Sequence, residues 1–155
     1  MLQRIQSIYL LFASIVLFAL FVFPLAHNIF VDGKLVNVSV TGVYEIINGD
    51  DKLLQSFLPL TIATVIAALI PLVLIFLYKN RKQQITISYV AILVLIGYSF
   101  WMAQTVKGAV GPITLAYKNM GIGLFLTSLS IVLIIFAVKA IQRDEKLVKS
   151  ADRLR

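Results

Sequence analysis

His27 is the only histidine in this chain, and there is no cysteine. Without thiols, disulfides, zinc–thiolate centres, iron–sulfur clusters and thiol nucleophiles are excluded. Ser14, Ser88, Ser99, Ser128 and Ser130 lie in apolar runs. A serine nucleophile needs an adjacent base. No GxSxG occurs, and no histidine is near any of these serines in sequence. Asp50-Asp51 is the only acidic cluster in the loops between the runs. With a single histidine, a metal site would have to be built almost wholly from carboxylates, and two adjacent loop acids read as solvated charges. There is no glycine-rich phosphate loop. A pump or proton relay needs an ionisable group inside an apolar span, and none of the runs carries one in its middle. The expectation is a protein that is not an enzyme, with no catalytic residue, cofactor or metal.

The elements that hold these residues are dominated by hydrophobicity. Of 155 residues, 60% are hydrophobic and only 14% are charged, against roughly half and a quarter in a soluble average. Four apolar runs stand out, at about residues 8–26, 57–78, 85–102 and 121–141. Each approaches the length needed to cross a hydrocarbon core of about 30 Å at about 1.5 Å per residue. Only helices and closed barrels satisfy their backbone groups in lipid. Continuous rather than alternating apolarity points to helices. The predicted fold class is all-α membrane: a four-transmembrane-helix bundle forming one integral domain over residues 1–155. A cleaved signal peptide is the competing reading of the first run. The run is long for that role, and Pro24-Leu25-Ala26 lacks a small-x-small site, so we read it as a retained span.

Charge sets the expected orientation. Arg4, the 79–84 connection (Lys79, Arg81, Lys82) and the end of the chain (Lys139, Arg143, Lys146, Lys149, Arg153, Arg155) carry the basic excess, with only Asp144, Glu145 and Asp152 opposing it. The other two loops balance Lys34, Lys52, Lys107 and Lys118 against Asp32, Glu45, Asp50 and Asp51. The whole formal charge of +7 therefore falls on one face. By the positive-inside rule that face is cytoplasmic. Loops 27–56 and 103–120 are then periplasmic, loop 79–84 and tail 142–155 cytoplasmic, and both termini lie inside. This distribution argues for anionic lipid headgroups as the partner of the basic residues, and against nucleic acid. Tyr9 and Tyr78 at inner boundaries, with Tyr98, Phe100, Trp101 and Tyr117 at outer ones, fit an interfacial aromatic belt.

Loop 27–56 reads as a small extracytoplasmic β-hairpin between the first two helices. Asp32-Gly33 suits a two-residue turn that requires positive φ. Val36, Val38 and Val40 alternate with Asn37, Ser39 and Thr41 at the period of a half-buried strand, and a second strand follows over residues 43–47. Gly108, Gly111 and Pro112 break the second outer loop. Ala63 with Ala67, and Gly123 with Thr127, are small-residue pairs that let helices approach closely. Pro59 suits a helix start, while Pro71 falls inside a span and should bend it. The tail is predicted to continue the fourth helix into the cytoplasm, with Leu147, Val148, Ala151 and Leu154 on one face. It either lies on anionic headgroups or docks on a protein. The interleaved Asp144, Glu145 and Asp152 weaken attraction to headgroups and favour the protein contact.

The two ends of the chain carry a resemblance. The opening Met1-Leu2-Gln3-Arg4-Ile5-Gln6 and the closing Asp144-Glu145-Lys146-Leu147-Val148-Lys149-Ser150-Ala151-Asp152-Arg153-Leu154-Arg155 resemble the domain of unknown function 4293 family. These are small four-helix membrane proteins of the Bacteroidota. The resemblance implies a bacterial inner-membrane setting. It implies no activity, cofactor or site residue.

Two functions from different classes follow. The first is a non-enzymatic accessory or scaffolding subunit of a larger inner-membrane complex, in protein export, envelope biogenesis or respiratory assembly. Leu147, Val148, Ala151 and Leu154 would make its apolar contact with other membrane protein subunits, and Lys146, Lys149 and Arg153 its charge complementarity. The second is a small oligomeric transporter or channel lined by Thr61, Thr64, Thr127 and Ser130.

Overall fold

The computed structural model describes residues 2–31, 33–47, 50–111 and 119–152, with side chains between Ile5 and Val148. Helix α1 (Leu2–Phe18) ends in a 3-10 turn, Ala19–Phe21. Four strands follow: β1 (Ala26–Val31), β2 (Lys34–Ser39), β3 (Gly42–Ile47) and β4 (Asp50–Ser56). Then come α2 (Leu58–Phe76), a 3-10 turn at Leu77–Lys79, α3 (Arg81–Val110) and α4 (Gly123–Asp152).

The helices pack in a ring. α1 lies against α4 and α2, and α3 closes the ring against both. Each helix buries one stripe at helical spacing. On α1 it is Gln6, Leu10, Ala13, Ser14, Leu17; on α3 it is Gln84, Ser88, Ala91, Leu95, Tyr98, Met102. On α4 the stripe is Thr127, Ser130, Ile134, Ala137, Val138, Ile141, Asp144. Small and hydroxyl residues recur in these stripes, and they let backbones come close. The outward faces are apolar too: Phe12, Ile15, Val73, Leu93 and Phe125 are all more than half exposed. Three helical segments are long and apolar enough to cross a membrane: Leu58–Lys79, Arg81–Val110 and Gly123–Val148. The apolar part of the first helix, Ile5–Phe21, is shorter.

The strands form one antiparallel meander in the order β1-β2-β3-β4. It sits at the end of the ring where α1 finishes and α2 begins. The two expected strands are β2 and β3. Val31 pairs with Lys34, and Gly33 between them has φ +79°, the left-handed region that a two-residue hairpin turn needs; Asp32 lies outside the described residues. Val36, Val38 and Val40 are buried and their alternates only partly so, as the period of two predicts. β1 carries a bulge between Ala26 and Ile29. There Asn28 has φ +52°, and its N–H donates to the Asn37 side-chain oxygen at 3.1 Å. The sheet is tied to the helices by Leu25 N–H to Val38 O (2.8 Å) and Phe57 N–H to Thr41 O (2.9 Å).

Several boundaries differ from the expected ones. The first helix stops at Phe21 rather than at residue 26, because Leu25 already hydrogen-bonds to β2 and Ala26 opens β1. The hairpin gains β1, which the apolar run to residue 26 concealed, and β4, which the polar residues 50–52 concealed; β4 is held by its backbone pairing to β3, with Glu45 in register with Lys52. The outer loop 103–120 is shorter than expected. α3 runs through Gly108 to Val110 and ends at Gly111, φ +73°. The connection at 79–84 is a tight corner, closed when the Gln84 side-chain amide donates to Leu74 O at 2.9 Å. Tyr98 is no interfacial aromatic: it is buried, while Phe100 and Trp101 face outward. Tyr117 lies outside the described residues.

Candidate functional site

Most polar side chains inside the helical ring are engaged in structural bonds; the exception among the described residues is Asp144, whose Oδ1 is buried without a partner. Ser14 donates to Ala68 O (2.7 Å) and Ser130 to Ala13 O (3.1 Å), which joins α1 to α2 and α4 to α1. Thr64 and Tyr98 share a 2.6 Å hydrogen bond between α2 and α3, and Thr64 also donates to Leu60 O. Ser88 donates to Gln84 O and Ser99 to Ile96 O. Ser128 is exposed. His27 is half-buried on β1 in the sheet, and no serine hydroxyl in these bonds is directed to it. Asp50 and Asp51 are exposed on β4. Among the described residues, no group of three or more His, Asp or Glu stands close enough to hold a metal ion.

The four hydroxyls considered for a pore point elsewhere. Thr61 donates to Phe57 O at 2.9 Å and lies 3.1 Å from Val40 O. Thr127 donates to Leu124 O (3.4 Å). Thr64 and Ser130 are completely buried. All four satisfy carbonyls inside one copy of the chain, as hydroxyls in apolar helices commonly do.

At the end opposite the sheet, α4 continues unbroken to Asp152. Lys146, Leu147 and Val148 are exposed there, the two apolar residues to about half of their surface (50% and 47%). Lys149 and Ala151 lie on the same helix, but their side chains are outside the described set, and Arg153 and Leu154 lie outside the described residues. Asp144 departs from its expected role as a surface charge. It is buried, and its Oδ2 accepts a hydrogen bond from the Gln6 side-chain amide at 2.5 Å. The two terminal motifs thus meet in space, 138 residues apart in sequence. Spacing along the chain carries no trace of that contact.

At the sheet end, β4 is exposed at every residue and forms an edge of the sheet. Leu53 and Leu54 stand at 50% and 45% exposure. Sequence reasoning missed this surface because only Leu53 and Leu54 interrupt a polar stretch. The other edge is partly covered. Ala26 bridges to Met120, and Gly121 N–H donates to Leu25 O (2.9 Å).

A search of curated proteins found no match to the chain. A family profile described as a domain of unknown function, DUF4293, matches residues 2–154. That span includes both terminal motifs except Met1 and Arg155, the sheet and all four helices, and the chain belongs to the DUF4293 family.

Proposed function

We propose that the chain is a four-span protein of a bacterial inner membrane that serves as a non-enzymatic accessory or scaffolding subunit of a larger membrane complex. In this reading α1 crosses beside α4, with the sheet periplasmic and both termini cytoplasmic. The apolar outward face of α1, including Ile8, Leu11, Phe12 and Ile15, then meets lipid as the other helices do. Protein export, envelope biogenesis and respiratory assembly are the processes that such a subunit fits.

One observation carries the subunit reading. Apart from Asp144 Oδ1, the buried polar groups described within the helical ring are spent on internal bonds, while apolar surface is left uncovered at both aqueous ends. Leu53 and Leu54 display it on an edge strand, Leu147 and Val148 on the α4 extension. An edge strand with free backbone groups is a ready partner for another chain. The channel alternative has no comparable support, since Thr61, Thr64, Thr127 and Ser130 bond inward.

The test is affinity purification of the N-terminally tagged chain from its native membrane in mild detergent. Unlike membrane subunits recovered in fixed ratio support the reading. Leu147→Asp with Val148→Asp, or Leu53→Lys with Leu54→Lys, should abolish that recovery while the variant still inserts. Recovery only of the chain itself, as monomer or homo-oligomer, would defeat it.

A further inference from the structure

α2 and α3 are joined by the shortest connection in the helical ring, yet their outward sides do not close on each other. A groove runs between them. Near the basic end it is lined by Val73, Leu74 and Ile87 and encloses about 310 Å³. It passes Ile66 and Ile70 into a second stretch of about 250 Å³ beside Gly97 and Trp101. Gly97 contributes to its depth, because a Cβ built there would meet nothing within 4 Å. From Ile87 to Trp101 the groove follows roughly 21 Å of helix rise.

Trp101 also borders a third space, of about 330 Å³, beneath the end of the sheet. Here the lining changes character. Gln55 and Ser56 come from β4, Thr105 and Gly108 from the last turns of α3, and Phe57 and Pro59 from the start of α2. Among the described residues, no charged side chain lines it. Thr105 donates to Trp101 O at 3.0 Å, which leaves its oxygen able to accept. The Gln55 amide and Ser56 hydroxyl have no partner among the described residues and can both donate and accept.

We propose that this continuous feature binds a single amphiphile, an acyl-chain lipid with an uncharged, hydroxyl-bearing headgroup such as a glyceride or glycolipid. The chain lies in the α2–α3 groove, and the head hydrogen-bonds to Gln55, Ser56 and Thr105 beneath β4. Three observations select this occupant. The polarity changes once, at Trp101, in the order an amphiphile requires. The groove is longer than the roughly 15 Å half-thickness of a hydrocarbon core, so a chain entering at the sheet end fits along its whole length. The described lining offers hydrogen-bonding groups and no cation, which suits a hydroxyl-bearing head better than a phosphate, whose recognition calls on Arg or Lys. A crossing partner helix, about 10–12 Å wide with its side chains, fits poorly because the feature ends against Gln55, Ser56 and Phe57. The inference rests on the helices being membrane spans and is independent of any partner subunit.

The test uses the full chain reconstituted in phosphatidylcholine vesicles with a monoacylglycerol carrying a photoreactive diazirine in its chain. Cross-linked residues are mapped by mass spectrometry. Labelling should concentrate on Ile66, Ile70 and Gly97, and should saturate with probe. Gly97→Leu, which has open space to occupy, should suppress it. Gln55→Ala with Ser56→Ala should raise the half-saturating probe fraction by about fivefold or more, the value of one net hydrogen bond. The same double variant should leave a lysophosphatidic acid probe of equal chain length unchanged. Uniform labelling that includes Phe12 and Ile15 on α1 would overturn the groove while leaving the span reading intact. Equal half-saturation for the two headgroups would overturn the assigned head chemistry.

Discussion

Asp144 shows how far a residue's role can depart from its neighbours'. It sits among Arg143, Glu145 and Lys146 on a charged helical extension, yet its side chain is buried against Gln6 of α1. The position follows from α4's stripe, because Asp144 comes three residues after the fully buried Ile141 and so falls on the inward face. A buried amide that loses its acceptor costs about 1–3 kcal/mol. Asp144→Ala should therefore lower the stability of the detergent-solubilised protein by about that amount in thermal unfolding, because the Gln6 amide is left unpaired. Lys146→Ala, one helical step away on the exposed face, should change it by no more than about 0.5 kcal/mol. Replacing both partners by Leu should recover most of the Asp144→Ala loss, since neither buried group then lacks a partner.

Among the elements, the entry to α4 is the tightest crossing. Gly121 and Gly123 N–H groups donate to Leu25 O (2.9 Å) and Pro24 O (3.1 Å), so this segment lies directly on the link between α1 and β1. A side chain at Gly121 would run into Pro24 O and the Leu25 backbone, neither of which can swing aside as a flexible side-chain tip would. Gly121→Val should destabilise by about 1–3 kcal/mol through overpacking, or more if the sheet detaches. Gly97→Ala on α3 is the control. It meets empty space, and should be neutral or stabilising by up to about 1 kcal/mol from helix propensity. Unfolding of the two variants in the same detergent checks the pair. The sequence pointed to Gly123 as a small-residue contact. It did not show that the contact is with the α1–β1 link rather than with a helix face.

For the whole molecule, the arrangement separates two chemically different ends. The sheet lies at one end of the ring, and the basic corner with the α4 extension lies at the other. The proposed orientation, with the basic end cytoplasmic, rests on the positive-inside rule. The chain has no native cysteine, so single-cysteine variants report its topology without background. A membrane-impermeant maleimide applied to intact spheroplasts should label Asp51→Cys on β4. It should label Gln83→Cys at the α2–α3 corner only after permeabilisation. The reverse pattern would invert the proposed topology.

The sequence by itself determined the apolar helices, the strand pattern of Val36, Val38 and Val40, the positive φ at Gly33 and the unbroken run of α4 past the last apolar residues. Each of these rests on local composition or on a short period, which the chain displays directly. Tertiary structure decided which face of each helix turns inward. Lipid tails are as apolar as Leu, so a helix can be apolar on every side, and the exposed Phe12 and Ile15 look no different in sequence from the buried Leu10 and Leu17. The sorting is done by close packing of Ala13, Ala67, Ala68 and Ala137 and by the bonds of Ser14, Thr64 and Ser130, all buried together. β4 and the Gln6–Asp144 contact were likewise hidden. One is a polar strand defined only by pairing to β3; the other joins residues at opposite ends of the chain, and only folding of α1 onto α4 brings them within hydrogen-bonding reach.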